Sequence, residues 1–247
     1  HLKFKIFEEW EIPPWELYIK PEKLLGEGSC ANVYLAEWRQ TIVVAKVLKN
    51  SFDVHSKNLI IKEFNNMTKI HHPNIVQLFG YVEEPFIIVM EYFEKGDLCE
   101  NLNKLKLKQK IKIAQDIIKG LIYLHERKPT SLIHRDIKPK NILLTNSYSA
   151  KIADFGLSTC SINDLSNTKN NNNNNNINNN YTGNVGTKRY MAPEVKTNVY
   201  NNNVDIYSCG ILLYELFSQN IYMDTFIWNN KKIPTKLKEL ILNMVSV

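Results

Sequence analysis

Short apolar runs separated by turn residues dominate the first third of the chain. Runs of roughly four to eight residues that are rich in β-branched and aromatic side chains predict strands. Four such runs lie at Tyr34–Trp38, Thr41–Leu48, Ile75–Tyr81 and Phe86–Met90. Between them, Lys57–Ile70 carries apolar residues at roughly helical spacing, and His72-Pro73 after it ends a helix. The pattern from about Leu17 to Glu91 therefore predicts a small antiparallel sheet with one helix.

After Gly96 the spacing of the apolar residues becomes helical. Lys108–Glu126 carries an apolar stripe that predicts a core helix. The members of that stripe are Ile111, Ala114, Ile117, Ile118, Leu121, Ile122 and Leu124. Val204–Phe217 is apolar on nearly every side, with Asp205 as its only acid before Glu215, which predicts a buried central helix. A sheet-rich first part followed by a mainly helical remainder indicates the α+β class.

The composition fits a globular protein and predicts no membrane span. The chain has 247 residues, of which 44% are hydrophobic and 23% charged, enough to bury a core as one large domain or two small ones. No window of about 18 residues is uninterrupted apolar sequence, so no transmembrane helix is expected. The cysteines at 30, 99, 160 and 209 include no CxxC pair, so neither a zinc site nor a disulfide framework is expected. Reduced thiols are typical of the cytoplasm, which is the location we expect.

The charge balance does not favour nucleic acid as a partner. Lysine and arginine total 31 against 25 acidic residues, a formal net charge of +6. The one dense basic run places a lysine at every second position from Lys104 to Lys112, beside the start of the long predicted helix. A solvated helix face explains this run better than a nucleic-acid site does.

Asparagine is unusually common in this chain. It accounts for 31 residues, and 11 of them fall between Ser166 and Asn180. Such polar sequence has little apolar surface to offset the entropy cost of ordering it, and patterned sequence flanks it on both sides. We therefore predict that residues 166–180 are a mobile loop inserted into a domain.

Two features of the predicted sheet are compatible with phosphate binding. Gly26-Glu27-Gly28 precedes a strand, and glycine lets backbone N–H groups approach phosphate oxygens closely, although a simple hairpin turn fits this pattern equally well. Lys46 lies in the middle of an apolar strand, where an unpaired ammonium is costly to bury. Lys46 either lies at an exposed strand end or pairs with an acid, and Glu63 on the following helix is the candidate.

Three oxygen-bearing side chains follow the long helix in two short motifs. Asp136 and Asn141 lie within His134-Arg135-Asp136-Ile137-Lys138-Pro139-Lys140-Asn141, and Asp154 begins Asp154-Phe155-Gly156. Carboxylate and amide oxygens suit a Mg²⁺ ion that also binds phosphates, and a carboxylate can activate a hydroxyl nucleophile. Each motif alone fits an ordinary loop, but chance explains their order and spacing poorly.

Together with Ala192-Pro193-Glu194, these motifs follow the order found in eukaryotic protein kinases. From roughly Leu24 to Met244 the chain resembles a eukaryotic protein kinase catalytic domain. Within that family it is similar to the tyrosine-kinase-like group, which includes Raf-like and mixed-lineage serine/threonine kinases. The stretches that carry the subgroup resemblance are Trp10-Glu11-Ile12, Trp38-Arg39, His72-Pro73-Asn74-Ile75-Val76, Asp154-Phe155-Gly156-Leu157-Ser158 and Tyr190-Met191-Ala192-Pro193-Glu194.

The resemblance implies a two-lobed protein kinase fold with a sheet-rich N-lobe and a mainly helical C-lobe. It implies a lead-in segment at residues 1–20 and a kinase domain at 21–247. The domain divides into an N-lobe at about 21–91, a hinge at about 91–96 and a C-lobe at about 97–247, with the insertion 166–180 in the activation segment. The chain ends within what corresponds to the penultimate helix, Thr235–Val245. The last helices are therefore expected to be missing, and Glu194 is expected to lack the later arginine that usually pairs with it.

The same resemblance implies a set of nucleotide contacts. The segment from Gly26 to Val33 covers the phosphates of ATP, and Lys46 contacts the α- and β-phosphates while it pairs with Glu63. The hinge backbone binds adenine beside a gatekeeper side chain, and apolar side chains enclose the ring. The residues expected to contact the nucleotide are Gly26, Gly28, Val33, Ala45, Lys46, Met90 (the gatekeeper), Glu91, Phe93 and Leu143.

The resemblance also implies the catalytic and metal-binding roles. Asp136 orients the substrate hydroxyl and accepts its proton, and Lys138 neutralises the γ-phosphate. Asp154 and Asn141 hold the metal, with Mg²⁺ expected and Mn²⁺ as the alternative. An apolar column that links the lobes is expected to consist of Met67, Leu78, His134 and Phe155. Two residues depart from the family pattern, since Ala31 replaces a loop glycine and Val44 takes the place of the alanine two positions before the lysine.

Lys138-Pro139 and Thr187 are typical of serine/threonine kinases. The resemblance therefore implies an ATP-dependent serine/threonine protein kinase of intracellular signalling, with protein substrates as partners, and leaves dual specificity open. The alternative is a pseudokinase or truncated nucleotide-binding scaffold without turnover, which the early end of the chain favours. Arg135 beside Asp136 suggests control by phosphorylation, and the candidate acceptors are Thr159, Ser161, Ser166, Thr168 and Thr182. The sequence does not indicate an oligomeric state.

Overall fold

The computed structural model describes residues 8–28, 31–49, 54–160, 188–197, 201–223, 225–228 and 233–246. The chain forms two compact units, His1–Glu94 and Lys95–Val247, which are described separately below. The boundary between them falls inside the segment 91–96 that the resemblance implies as a hinge.

The first unit is an antiparallel sheet that carries one helix. Its strands are β1 (Leu17–Glu27), β2 (Ala31–Trp38), β3 (Thr41–Leu48), β4 (Leu78–Val82) and β5 (Ile87–Glu91), in the spatial order β1-β2-β3-β5-β4. The helix α1 spans Val54–Met67. Two short 3-10 turns, Glu8–Trp10 and Pro14–Glu16, precede β1. Strand β1 begins at Leu17 and so crosses the predicted boundary between residues 20 and 21.

Alternation along the strands gives the sheet two distinct faces. Val33 pairs with Lys46, and Lys46 pairs with Ile88, so these side chains share one face, which we call the Lys46 face. The opposite face, the Val43 face, is an apolar core. Its buried members are Ile12, Ala36, Val43, Ala45, Val82, Ile87 and Val89. One apolar core of the first unit therefore lies on the face away from Lys46.

The predicted strands and helix of the first unit are present, and their boundaries differ by a few residues. Strand β3 has the predicted bounds, whereas β4 begins at Leu78 rather than Ile75. Helix α1 begins at Val54 and ends at Met67, ahead of His72-Pro73. The sequence pattern did not single out β1, because most of its residues are partly or fully exposed and the apolar alternation is weak.

The second unit is mainly helical within its described residues. Its helices are α2 (Leu98–Asn101), α3 (Leu107–Glu126), α4 (Asn203–Ser218) and α5 (Thr235–Val245). It also contains two small pairs of antiparallel strands. Strand β6 (Leu132–Ile133) pairs with β9 (Thr159–Cys160), and β7 (Ile142–Leu144) pairs with β8 (Ala150–Ile152). The α+β class predicted from the sequence is confirmed.

The apolar stripe predicted for α3 is partly wrong. Ala114, Ile117, Leu121 and Leu124 are buried as predicted, but Ile111 is 44% exposed and Ile122 is 48% exposed. At about 100° per residue, these two isoleucines lie to one side of the buried face, whereas Ile113, which the stripe omitted, lies within it.

Helix α4 is the buried central helix that the sequence predicted. Nearly all its side chains are buried, including the acids Asp205 and Glu215. Gly210 lets α5 approach closely, because a Cβ there would lie 2.7 Å from Cγ1 of Val245. None of the helices in the described ranges has both the length and the apolar character needed to cross a bilayer.

Candidate functional site

In the first unit, Lys46 and Glu63 form a tight ion pair. The Nζ atom of Lys46 on β3 lies 2.6 Å from Oε2 and 2.8 Å from Oε1 of Glu63 on α1. Glu63 is buried, with 3% of its surface exposed. Each charge offsets the desolvation cost of the other, which is what a lysine in an apolar strand requires. The pair is the one predicted from the sequence, and Lys46 does not lie at an exposed strand end.

The glycine segment lies beside this pair on the sheet. Gly26 pairs with Val33 across β1 and β2, and Val33 in turn pairs with Lys46. The backbone N–H of Gly28 donates to the carbonyl of Ala31 at 2.9 Å, which closes the turn between the two strands. Residues 29 and 30, including Cys30, lie outside the described part of the chain.

The expected adenine contacts in the first unit fall on two different faces. Met90 pairs with Val44 and lies on the Lys46 face, whereas Ala45 lies on the Val43 face in the apolar core. Ala45 is therefore not brought together with Lys46 and Val33. Strict alternation from Lys46 would have pointed to Val44, two positions earlier, as the side chain on the same face.

The two hinge residues expected to contact the nucleotide, Glu91 and Phe93, lie at the end of β5 and just after it. The Glu91 backbone N–H donates to the carbonyl of Gln77 at 3.0 Å, and its Oε2 accepts from the Gln77 N–H at 3.3 Å. Phe93 is buried two residues later. These contacts fix the backbone direction at the end of the sheet.

In the second unit, Asp136 is held by two of the predicted site residues. The Nζ of Lys138 donates to Oδ2 of Asp136 at 2.7 Å, and Nδ2 of Asn141 donates to the same oxygen at 2.8 Å. Asn141 Nδ2 also reaches the backbone carbonyl of Asp136 at 2.8 Å. These bonds orient the carboxylate of Asp136.

Backbone contacts bring Asp154 into the same loop cluster. The N–H of Ala153 donates to the carbonyl of Asn141 at 2.8 Å, and Asp154 follows with a left-handed φ of 65°. The amide Nδ2 of Asn141 is engaged with Asp136, so its Oδ1 is the atom suited to a cation. One carboxylate and one amide oxygen fit a hard cation whose remaining ligands come from phosphates and water. Leu143 lies in β7, directly after this loop.

A buried carboxylate of α4 anchors the same loop. Asp205 Oδ2 accepts from the His134 N–H at 2.8 Å and lies 2.8 Å from Nε2 of His125. Asp205 Oδ1 accepts from the Arg135 N–H at 2.7 Å, and Arg135 has a left-handed φ of 72°. Asp205 has no exposed surface, so these bonds satisfy a charge that has no water to solvate it. The sequence signal for this role was an acid near the start of a mainly apolar helix.

Each unit contains half of the expected apolar column. In the first unit, Met67 and Leu78 are both buried. In the second unit, the rings of His134 and Phe155 meet edge-on with centroids 4.9 Å apart. Nε2 of His134 also lies 3.0 Å from the carbonyl of Ala153, which ties the ring to the residue before Asp154.

A second polar cluster fixes the segment before Ala192-Pro193-Glu194. The Oη of Tyr190 donates to Oε2 of buried Glu215 at 2.5 Å, and Nε of Arg189 lies 3.3 Å from Oε1. Burial and the neighbouring carboxylate raise the pKa of Tyr190, which stays protonated as the donor. Glu194 follows this cluster, is partly buried and makes contacts of its own.

The activation-segment predictions lie outside the described residues. These are the asparagine-rich stretch 166–180, Thr187, the acceptors Ser161, Ser166, Thr168 and Thr182, and the side chain of Thr159.

Comparison with known proteins gives a family match over most of the chain. The protein kinase domain family model matches residues 19–244. Serine/threonine-protein kinase VIK of Arabidopsis thaliana is 37% identical over 220 residues, which cover 84% of this chain and 48% of that protein. Serine/threonine-protein kinase CTR1 of Arabidopsis thaliana is 34% identical over 219 residues, covering 85% of this chain and 25% of that protein.

A further relative comes from another organism. Dual specificity protein kinase pyk3 of Dictyostelium discoideum is 34% identical over 202 residues, which cover 80% of this chain and 14% of that protein. The chain thus spans about half or less of the length of these relatives.

Proposed function

The chain belongs to the protein kinase domain family, and on that premise we propose that it transfers the γ-phosphoryl group of ATP to serine or threonine hydroxyls of protein substrates. The observation that carries the proposal is the carboxylate of Asp136, which Lys138 and Asn141 hold at 2.7 and 2.8 Å. A positioned carboxylate is what a hydroxyl nucleophile needs as its proton acceptor.

Asp136 acts on the substrate hydroxyl. Both side-chain contacts given above are made by Oδ2, so Oδ1 is the oxygen that accepts the proton. The hydroxyl oxygen forms a bond to the γ-phosphorus, the bond from that phosphorus to the bridging oxygen of ADP breaks, and the hydroxyl proton moves to Asp136. Lys138 lies beside Asp136 and places a positive charge where the transferred group carries negative charge.

Lys46 and Glu63 serve the other end of the triphosphate. Glu63 holds the Lys46 ammonium at 2.6 Å and so directs a positive charge towards the α- and β-phosphates. Asp154 and Asn141 supply the oxygens for a divalent cation, and we propose Mg²⁺, with Mn²⁺ as the alternative. When bound, the cation neutralises phosphate charge. The remaining proposed nucleotide contacts are Gly26, Gly28, Val33, Val44, Met90, Glu91, Phe93 and Leu143.

The proposed substrate class rests on relatives and on one motif. VIK and CTR1 are named as serine/threonine-protein kinases, and Lys138-Pro139 follows Asp136 in this chain. The partners are then ATP and protein substrates rather than nucleic acid, and the proposed location is the cytoplasm.

The test is transfer of labelled phosphate from MgATP to a generic basic protein, followed by acid hydrolysis to identify the labelled residue. We expect phosphoserine or phosphothreonine, and we expect Asp154→Asn to reduce the label to background. Label on tyrosine alone would contradict the substrate class. Equal label from the wild type and Asp154→Asn, or no label from the wild type, would contradict the proposed kinase activity and support a nucleotide-binding scaffold.

A further inference from the structure

The lysine run at the start of α3 is not a uniformly solvated face. Lys104, Lys106 and Lys108 are exposed, whereas only 5% of the surface of Lys110 is exposed. Lys110 lies about one helical turn before buried Ala114, so it belongs to the buried side of the helix. The solvated face predicted from the sequence therefore does not include Lys110.

The ammonium group of Lys110 lacks a counter-charge. Within the described part of the chain, its side chain forms neither an ion pair nor a hydrogen bond, and burial lowers its pKa. The nearby Lys112, by contrast, reaches Oγ of Ser149 and lies 3.7 Å from Oδ2 of Asp116. A buried ammonium without a partner is costly, so an anion that joined Lys110 would offset that cost.

The first turn of α3 is itself electropositive. Its N–H groups have no partner within the helix, and the helix dipole adds partial positive charge there. The N-cap is Lys106, which carries no acceptor atom, and the first turn contains no acid. The side chain of Gln109 accepts the Lys106 N–H at 2.8 Å. Among the described residues, the N–H groups of Leu107 and Lys108 therefore remain available to a ligand.

Lys110 and the helix start point to the same place. The Cα–Cβ bonds of an α-helix tilt towards its N-terminus, so a long side chain covers the turn before its own Cα. The Lys110 side chain thus runs back towards the first turn. Lys106 lies four residues earlier, on the same side of the helix, whereas Lys108 is rotated from Lys110 by about 200°. The run therefore forms one concentrated site and not the long basic stripe that a nucleic acid needs.

Exposed apolar surface adjoins this place. Leu107 is 48% exposed and Ile111 is 44% exposed, and a spacing of four residues puts them together on one side of α3. A free ion gains nothing from such surface, whereas a peptide segment buries apolar side chains on it.

We propose that the start of α3 binds a phosphorylated peptide segment. The phosphate oxygens accept from the ammonium groups of Lys106 and Lys110 and from the N–H groups of Leu107 and Lys108. An apolar side chain of the peptide packs on Leu107 and Ile111. A phosphate monoester carries a charge of about −1.5 to −2 and three acceptor oxygens, which matches two lysines and two N–H groups better than a singly charged carboxylate does. This binding site is independent of the proposed transfer reaction.

The first test titrates inorganic phosphate into the protein without ATP, at an ionic strength held constant with chloride. The amide resonances of Leu107 and Lys108 in nuclear magnetic resonance spectra locate the binding, and we expect them to shift and saturate. Lys110→Met keeps an apolar side chain but removes the charge, and we expect it to weaken binding by about tenfold or more. Lys119→Met is the matched control, because it removes one charge from an exposed position of the same helix. We expect it to match the wild type.

A second exposed variant keeps the test informative if Lys110→Met folds poorly. Lys106→Met changes an exposed side chain on the same side of α3, and we expect it to weaken phosphate binding by about threefold or more. Lys108→Met removes an exposed charge from the other side of the helix and is expected to have a smaller effect.

The second test identifies the carrier of the phosphate. It compares inorganic phosphate, a peptide with phosphoserine beside leucine, and the same peptide with serine. We expect the phosphopeptide to bind about tenfold or more tighter than either of the others. Leu107→Gln is expected to weaken phosphopeptide binding by about threefold or more and to leave the affinity for inorganic phosphate unchanged.

The outcomes decide the two parts of the inference separately. Shifts that do not saturate, or equal affinities of the wild type and Lys110→Met, would overturn the site. Equal weakening by Lys110→Met and Lys119→Met would also overturn it, because general charge attraction then explains the binding. Inorganic phosphate that binds as tightly as the phosphopeptide would overturn the peptide as its carrier.

Discussion

Lys46 and Glu63 form a largely buried ion pair, so the loss of either charge is expected to lower the free energy of unfolding. Glu63 has almost no exposed surface, and its carboxylate lies 2.6 Å from the Lys46 ammonium. Burial of a single charge costs much more than burial of a pair, so the two residues depend on each other. This dependence makes the pair a test of stability as well as of activity.

Replacement of Lys46 by methionine leaves the Glu63 carboxylate buried without its cation. We expect Lys46→Met to lower the free energy of unfolding by about 3 kcal/mol in urea titrations. We expect the double variant Lys46→Met/Glu63→Gln to recover part of that loss, because a neutral amide is cheaper to bury. Transfer activity should be lost in both. A double variant that loses more unfolding free energy than Lys46→Met and Glu63→Gln lose in sum would contradict the pairing.

Cys209 gives a prediction about pH. Burial, with a smaller effect from the charge of Asp205, raises the pKa of its thiol to about 12. The thiol of an unfolded chain has a pKa of about 8.5, so between these values the unfolded state loses a proton that the folded state keeps. The stabilising effect is fully present below about pH 8.5 and is lost as the pH rises towards about 12.

We therefore expect the wild type to lose about 1–2 kcal/mol more unfolding free energy than Cys209→Ala between pH 7 and pH 10. Denaturant titrations at both pH values measure this difference. Parallel pH dependences of the two proteins would show that the thiol is not protected from ionisation.

At the scale of single residues, the sequence predicted contacts between residues that lie close together along the chain. Asp136, Lys138 and Asn141 fall within one loop, so their spacing alone suggested that they could meet. The role of Asp205 could not be read in the same way, because its partner Arg135 lies 70 residues away. The family resemblance implied that Ala45 contacts the nucleotide, but Ala45 lies on the Val43 face. Strand alternation would have placed it there, on the face opposite Lys46.

Among the elements, α4 connects buried packing with the catalytic loop. Its Asp205 receives the N–H groups of His134 and Arg135 and contacts His125. Two of these contacts to one fully buried carboxylate fix the loop that presents Asp136, and the third ties the carboxylate to α3. The helix therefore serves the site without contributing a group that contacts substrate.

Asp205→Asn tests this positioning role. An amide has one accepting oxygen in place of two, so at least one N–H of the loop loses its partner. We expect kcat to fall by about tenfold or more, with little change in KM for ATP, in steady-state assays. Asp116→Asn is the matched control, because buried Asp116 accepts the Ala150 N–H at 3.0 Å and lies 3.7 Å from Nζ of Lys112, outside the catalytic loop. Equal losses in the two variants would contradict a special role for Asp205.

The elements that the sequence predicted well are those with a strong and continuous pattern. Strand β3 and helix α5 have the predicted bounds. Strand β1 has no clean alternation because it is an edge strand with mostly exposed side chains. The exposed Ile111 and Ile122 show that apolar residues do not by themselves mark the buried face of a helix.

For the whole molecule, the proposed chemistry is divided between two compact units. The first holds Lys46 and Glu63, and the second holds Asp136, Asn141 and Asp154. Among the described residues, the proposed contact to the α- and β-phosphates therefore lies in the first unit and the proposed proton acceptor in the second.

The asparagine-rich stretch 166–180 lies outside the described residues, and its composition supports a prediction. It contains 11 asparagines and so offers almost no apolar surface to a core. We expect replacement of residues 166–180 by a short Gly-Ser linker to change the free energy of unfolding by less than about 0.5 kcal/mol, with transfer retained. A loss above about 2 kcal/mol would show that the stretch packs against the domain.

The most direct test of the central claim separates nucleotide binding from phosphoryl transfer. Asp136→Asn keeps the shape of the side chain but removes the base, while Lys46, Glu63, Asn141 and Asp154 stay in place. The measurement is the rate of phosphate transfer from MgATP at saturating nucleotide, alongside the thermal shift that MgATP produces. We predict an unchanged thermal shift and a transfer rate lower by about 10²-fold or more. A variant that transfers phosphate at the wild-type rate would contradict the assignment of Asp136 and, with it, the proposed mechanism.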